Sequence, residues 1–356
     1  MFKMISGYAA FFACLLWAAS LTGCAASDTE ASETEVTQEV QEADFFAMDT
    51  YMSVKVWGDT DGTLVAGLEE EILRVEALLS VTEEDSDLYR INHSEGEATS
   101  ISQETADLLN TALSWCKSTN GALDISLYPL SVAWGFSSAS EDGYRVVSEE
   151  ERTELLTVCG WESVTVNDLM VSIPEGGGLD LGAVAKGYAT DTCVTYLKEN
   201  GVSTALLSLG GNIYVLGSKE DGSDWKIGIQ DPEDESGSSY VGVLELSDKA
   251  VVTSGSYQRY FEEDGVRYHH ILDASTGAPA DSGLLSVTIV TDSGLTADCL
   301  STAFFVMGLE ESAAYWRDSE DLEVVWVTED GGLYITEGLQ ECFTASGDRE
   351  ATVISR

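Results

Sequence analysis

The chain is predicted to fold as an α+β protein with mixed, largely antiparallel sheets and flanking helices. Three observations predict this. Short runs with period-two alternation follow one another from Ala205 to Thr253, separated by turn residues. Segments with helical periodicity stand before, between and after the strands. The two kinds do not alternate strictly, so no βαβ series is indicated. A hydrophobic fraction of 44% over 356 residues supports the core of one large domain or two smaller ones.

The N-terminus lies outside that fold. Lys3 precedes an apolar stretch, Tyr8 to Leu21, too short to span a bilayer, so residues 1–23 read as a signal peptide. Leu21-Thr-Gly-Cys24 ends it and resembles the bacterial lipobox, in which the cysteine is lipidated. An ordinary signal peptide with an incidental cysteine is the alternative. Residues 24–44 are rich in Ser, Thr, Glu and Ala and are expected to form a flexible acidic stalk. The folded domain is expected to occupy residues 45–356, tethered outside the cytoplasmic membrane.

Within it, Met48–Trp57 alternates like a strand with one buried face. Leu64–Leu79 and Gln103–Ser118 read as helices, the first with Glu69, Glu70 and Glu71 on its wet side. An irregular stretch runs from Gly121 to Trp134-Gly-Phe136, and Glu149–Val158 reads as a short helix. Val164–Val166 and Met170–Ile173 form a hairpin around Asn167-Asp168. A helix over Ala183–Glu199 stops at Asn200-Gly201. Strands follow at Ala205–Leu209, Ile213–Leu216, Trp225–Ile229, Val241–Leu246 and Val251–Thr253. A hairpin over Tyr257–Leu272 turns at Asp264-Gly265, and Leu285–Val290 is another strand. Thr296 is the expected N-cap of a helix over Ala297–Met307. Val324–Val327 and Leu333–Ile335 close the chain.

The formal net charge is −46, from 17 basic and 63 acidic residues. This balance argues against nucleic acid as a partner, because phosphate backbones are held through clustered Lys and Arg. Beyond Cys14 and Cys24, the cysteines are Cys116, Cys159, Cys193, Cys299 and Cys342, without zinc-like spacing. Buried free thiols are the expectation, with one disulfide as the alternative.

Two distant stretches bear on chemistry. Gly178-Leu-Asp-Leu-Gly-Ala-Val-Ala-Lys-Gly187 places Asp180, the backbone at Ala183 and Lys186 at a helix start, and Asp298 and Thr302 share one helix face. Hard oxygen ligands beside a glycine-rich loop suit a Mg²⁺ that also holds phosphate oxygens. The plain alternatives are dipole-compensating carboxylates, a helical hydroxyl bonded to its own backbone and a surface lysine. Ser208-Leu-Gly-Gly-Asn212 and Thr253-Ser-Gly-Ser256 offer backbone N–H groups and hydroxyls, though turn chemistry explains them equally. Of His93, His269 and His270, adjacent strand positions let only one of the last two face a site, as a candidate base.

In chain order, several segments together resemble the ApbE family of FAD:protein FMN transferases. They are Met48-Asp-Thr-Tyr-Met52, Ser86-Asp-Leu-Tyr-Arg-Ile-Asn92, Gly121-Ala-Leu-Asp-Ile-Ser-Leu-Tyr-Pro-Leu130 and Trp134-Gly-Phe136. After these come Asp180-Leu-Gly-Ala-Val-Ala-Lys-Gly-Tyr-Ala189, Ser208-Leu-Gly-Gly-Asn212, Thr253-Ser-Gly255, His270-Ile-Leu-Asp-Ala-Ser-Thr-Gly277 and Ala297-Asp-Cys-Leu-Ser-Thr-Ala303. The resemblance implies an ApbE-like, T-fold-like architecture and a Mg²⁺-dependent transfer of FMN from FAD to a Thr or Ser hydroxyl, releasing AMP. It implies Mg²⁺ on Asp298, Thr302 and the Ala183 carbonyl, and FAD against Met48, Ala122, Leu123, Asp124, Asp180, Lys186 and Leu272. His270 takes the position tied to activity and is the candidate general base, and Lys186, beside the expected anion site, is a candidate charge partner in the transfer. The implied acceptors are membrane redox subunits outside the cytoplasm.

Three departures stand out. Ser80-Val-Thr82 replaces the usual Ser-Thr-Tyr, Asp273-Ala-Ser-Thr-Gly277 replaces Asp-Pro-Arg-Thr-Gly, and Lys186 stands where some members carry Glu. Two other readings keep the same residues: an FAD pyrophosphatase giving FMN and AMP, and a flavin-binding lipoprotein without catalysis.

Overall fold

The computed structural model describes residues 39–138, 140, 143–234 and 236–356. The signal peptide, Cys24 and most of the stalk lie outside the described residues. Strand β1 (Val40–Ala47) begins inside the expected stalk and pairs antiparallel with β2 (Thr50–Trp57). Its inward positions Ala43, Phe45 and Ala47 alternate with exposed Glu42, Asp44 and Phe46, which is how an acidic-looking segment still makes an edge strand. Met48 and Asp49, expected to open a strand, instead form the turn between β1 and β2, at φ 49° and 61°. Two successive positive φ values are the twist that a two-residue hairpin needs.

Next come α1 (Thr63–Leu79), α2 (Asp87–Asn92), β3 (Thr99–Ser100), α3 (Gln103–Ser118), α4 (Tyr128–Trp134) and α5 (Glu149–Leu156). Ser86, Ser102 and Ser148 cap α2, α3 and α5 by accepting from the backbone N–H three residues on. The short strands β4 (Thr165–Asn167) and β5 (Met170–Ser172) make the expected hairpin, and α6 (Ala185–Glu199) follows. The strand run comprises β6 (Ala205–Leu209), β7 (Asn212–Leu216), β8 (Trp225–Gln230), β9 (Tyr240–Leu246) and β10 (Lys249–Gly255). The hairpin β11 (Tyr260–Glu263) and β12 (Val266–His269) precedes β13 (Leu284–Thr291). The helical span α7 (Gly294–Arg317) leads to β14 (Leu322–Thr328), β15 (Leu333–Thr336), β16 (Phe343–Ala345) and β17 (Thr352–Ile354).

Among the described residues the main sheet has nine strands, ordered β1-β2-β6-β7-β10-β13-β14-β15-β17. All its pairings are antiparallel except β15 with β17. The fold class is therefore as the sequence predicts. Both faces of the sheet are buried. Val252, Val287 and Ile289 face the core beneath α1, α6 and α7, while Val251, Val290 and Val325 pack against the small sheet β16-β9-β8. Double burial explains why β10, β13 and β14 read as nearly continuous apolar runs.

Helix α7 starts earlier than expected. Its N-cap is Ser293, whose hydroxyl accepts the N–H of Thr296, so Thr296 is inside the first turn. A second cap reaches in from α6: Asp191 accepts from Ser293 Oγ, Gly294 N and Leu295 N at 2.6 to 3.1 Å. The first helical segment ends at Gly308, with φ 76° and ψ −180°, and a second continues to Arg317. No helix among the described residues is long and apolar enough to cross a membrane. Cys116, Cys159, Cys193, Cys299 and Cys342 are all free, and burial pushes every one of these thiols up.

Helices α6 and α7 touch through glycine. A methyl on Gly187 would sit 2.4 Å from the Gly294 carbonyl oxygen and 2.7 Å from Asp298 Cβ. Gly187→Ala must force the two helices apart. It is expected to lower stability by about 1–3 kcal/mol in denaturant titration.

Candidate active site

The loop before α6 is fixed from two sides. The Asn92 amide clamps Leu179, donating from Nδ2 to its carbonyl and accepting its N–H at Oδ1. Asp180 N donates to the Ile125 carbonyl at 2.8 Å, which ties this loop to the 121–126 segment. Asp180 Oδ1 accepts the Gly182 N–H, closing an Asx turn. The helix proper begins at Ala185, two residues later than expected.

Asp298 is the meeting point of the two stretches. Its Oδ2 accepts the Gly187 N–H at 2.8 Å across 111 positions of sequence. That N–H lies in the first turn of α6, where no intrahelical acceptor is available, so the Asp298 carboxylate satisfies it. The other oxygen, Oδ1, lies 3.9 Å from Lys186 Nζ, which itself donates to the Gly182 carbonyl at 2.8 Å. Asp298 is buried at 4% exposure, so its charge needs these partners. One turn on, half-buried Thr302 has Oγ1 3.3 Å from Ser254 Oγ. Asp298 Oδ1, Thr302 Oγ1 and the Ala183 carbonyl are all hard oxygens, and two of them sit on abutting helix starts. That donor chemistry fits a magnesium-type ion.

His270 follows β12. Its backbone N–H and its ring Nδ1 both meet the Arg259 carbonyl, at 3.1 Å each. A carbonyl only accepts, so the neutral ring carries its proton on Nδ1 and keeps a free lone pair on Nε2. Burial pushes its pKa down to about 3, helped by the positive charges of Arg259 and Lys186. His269 is different: its ring is buried with Nε2 against the Ala280 carbonyl, and burial likewise lowers its pKa. The two adjacent histidines thus differ in surroundings: His269 is bonded to the Ala280 carbonyl within the core, and His270 to the Arg259 carbonyl.

The flavin-contact candidates divide into two groups. Met48 occupies a left-handed turn, its N–H donating to Glu76 Oε1 at 2.7 Å. Its left-handed backbone is that of the two-residue β1–β2 hairpin turn. The neighbouring Asp49 lies 3.8 Å from Arg259, which links this turn to His270. Ala122 is half-buried, whereas Leu123 and Leu272 are buried, so their side chains serve the core. Asp124 has both oxygens occupied, Oδ1 by Ser126 N and Oγ and Oδ2 by Trp161 N. Burial raises its pKa and those hydrogen bonds oppose the shift.

Asn92, Asp191, Arg259 and Ser254 go unassigned in the sequence reading. Asn92 and Ser254 lie inside quoted motifs, but nothing in linear order shows which partners they find. Among the described residues, no group of three or more His, Cys, Asp or Glu is placed to hold a metal ion. The oxygen set described above is of a different composition.

The sequence profile described as "ApbE family" matches residues 48–326. The chain belongs to the ApbE family. Similar curated proteins include the FAD:protein FMN transferase of Vibrio cholerae, 34% identical, covering 76% of this chain and 81% of that protein. The FAD:protein FMN transferase of Treponema pallidum is 33% identical over 82% of this chain and 85% of its own length. Among solved structures, the ApbE protein of Thermotoga maritima superposes with a TM-score of 0.79 at 33% identity, covering 88% of this chain and all of that one. The flavin transferase ApbE of V. cholerae gives 0.76 at 29% identity, covering 86% and 99%. The ApbE match ends at residue 326, within β14, and so spans both Asp180 and Asp298.

Proposed function

We propose that this ApbE-family protein transfers the FMN half of FAD to a Thr or Ser hydroxyl of a partner protein, releasing AMP, with Mg²⁺ required. The observation that carries it is the Gly187–Asp298 hydrogen bond, which brings the two oxygen-bearing helix starts together. In the reaction, the acceptor oxygen forms a bond to the FMN phosphorus while the pyrophosphate oxygen leaving with AMP breaks away. His270 Nε2 takes the hydroxyl proton, since Nδ1–H is held by the Arg259 carbonyl and the lone pair is left on Nε2. Lys186, beside both Asp298 and the loop before α6, supplies a cation for the anionic substrate. Asp298, Thr302 and the Ala183 carbonyl would hold Mg²⁺, which when bound offsets charge on the pyrophosphate oxygens.

The chain's lipobox-like Leu21-Thr-Gly-Cys24 supports an extracytoplasmic, lipid-anchored location, facing acceptors exposed on membrane redox proteins. Incubation with FAD, Mg²⁺ and an Ala-Thr-containing acceptor peptide, read by mass spectrometry, is the test. An FMN adduct on the peptide supports the reading. Free FMN without adduct assigns water as acceptor, and intact FAD overturns catalysis altogether. Asp180→Ala frees the Gly182 N–H and loosens the loop. It is expected to weaken FAD binding by about tenfold, measured by flavin fluorescence titration, since one charge-assisted hydrogen bond is worth roughly 1.5–3 kcal/mol.

A further inference from the structure

Thr302 belongs to a row of hydroxyls whose proton directions follow from their partners. Ser301 Oγ lies 3.0 Å from the Asp298 backbone carbonyl, which only accepts, so the one Ser301 proton is committed there. Ser254, on β10, has Oγ 2.9 Å from Ser301 Oγ. With the Ser301 proton taken, Ser254 is the donor of that pair. Its own proton is then used, and at 3.3 Å it accepts from Thr302. The direction is Thr302 to Ser254 to Ser301 to the Asp298 carbonyl.

A helical threonine ordinarily donates to the carbonyl one turn back. For Thr302 that carbonyl belongs to Asp298, and Ser301 already occupies it. Ser301 is fully buried and Ser254 is 9% exposed, so little water competes to reverse the order. Two neighbours on α7 and one strand residue therefore fix where the Thr302 proton points.

We propose that Ser254 is a positioning residue, whose acceptance of the Thr302 proton leaves a Thr302 lone pair facing a divalent cation. A neutral hydroxyl ligates a hard cation only through a lone pair, and a proton turned toward the ion repels it. This rests on the cation reading of Asp298, Thr302 and Ala183. Ser301 acts one step further back, by keeping Ser254 a donor toward itself and hence an acceptor toward Thr302.

The test is a Mn²⁺ titration of the purified full chain, followed by loss of the free-ion electron paramagnetic resonance signal. Ser254→Ala is expected to weaken Mn²⁺ binding about tenfold, the low end for partners that orient a metal ligand. Ser301→Ala is expected to do the same, because Ser254 is then free to donate toward Thr302. The double variant is expected to bind no more weakly than Ser254→Ala alone, and Ser254→Thr to stay near wild type. Metal-free FAD affinity and the unfolding midpoint distinguish this from general damage, and both are expected to hold in Ser254→Ala. Wild-type Mn²⁺ affinity in Ser254→Ala, or a double variant showing the product of the single losses, overturns the relay while leaving the cation site standing. A wild-type chain that binds no Mn²⁺ removes the cation reading and the relay with it.

Discussion

Asp298→Ala is expected to lower FMN transfer by about a thousandfold at saturating FAD and Mg²⁺. The carboxylate does two jobs that the substitution separates only partly. It presents Oδ1 beside Lys186, and it holds the Gly187 N–H on Oδ2. Losing the first forfeits metal stabilisation worth several kcal/mol in the transition state, and each ~1.4 kcal/mol is tenfold in rate. Losing the second leaves a buried N–H without an acceptor, a stability cost of about 1–3 kcal/mol. Asp298→Asn separates the two, because its amide oxygen still accepts from Gly187 while the negative charge is gone. The Asn variant should unfold near the wild-type midpoint and yet transfer FMN poorly, with rates read from adduct formation by mass spectrometry. Wild-type transfer in Asp298→Asn would remove the metal assignment. Chelation of divalent ions by EDTA should reproduce the loss in the wild type and restore on adding Mg²⁺.

His270→Gln is the second large effect, a fall of roughly 10²- to 10⁴-fold, the range for a positioned general base. Glutamine can still donate to the Arg259 carbonyl, so the local hydrogen bond survives while the basic nitrogen does not. The pH dependence carries a sign. The ring stays neutral in the folded chain down to about pH 3, against an ordinary value of 6.5. Between these values the unfolded chain binds the proton and the folded chain does not. Folding is therefore unaffected by this group above 6.5 and loses stability as pH falls through that window. The same depression predicts that transfer shows no acid limb at the ordinary histidine pKa. A limb near pH 6.5 that vanishes in His270→Gln would confirm His270 as the base and contradict only the depression of its pKa.

The fold was legible wherever one local rule dominated. Gln103–Ser118 and Ala205–Leu209 coincide with α3 and β6 because periodicity and turn chemistry agree there. Hydroxyl patterns were less decisive. Ser293 and Thr296 both satisfy a cap signature, and only the Asp191 carboxylate, 102 positions away from Ser293, shows which one starts the helix. Met48 shows the converse difficulty. Its alternating neighbours suggest a strand, while the turn is set by β1, whose first five residues composition assigned to the stalk. At the site, Asp180, Lys186, Asp298, Thr302 and His270 are readable by residue type and motif. Their supports are not, because Asn92, Ser254 and Arg259 act through partners that only the folded chain supplies.

The glycine contact between α6 and α7 sets Lys186 against Asp298 directly, whatever the length of chain threaded between them. Residues 200–293 build six strands of the principal and accessory sheets and the β11–β12 ribbon, yet the spacing of Lys186 from Asp298 is set by main chain lying directly on main chain. The β7–β8 loop in that stretch, which carries none of the site residues, is free to lengthen or change composition without altering that spacing, whereas the segments bearing Ser254, Arg259 and His270 are not.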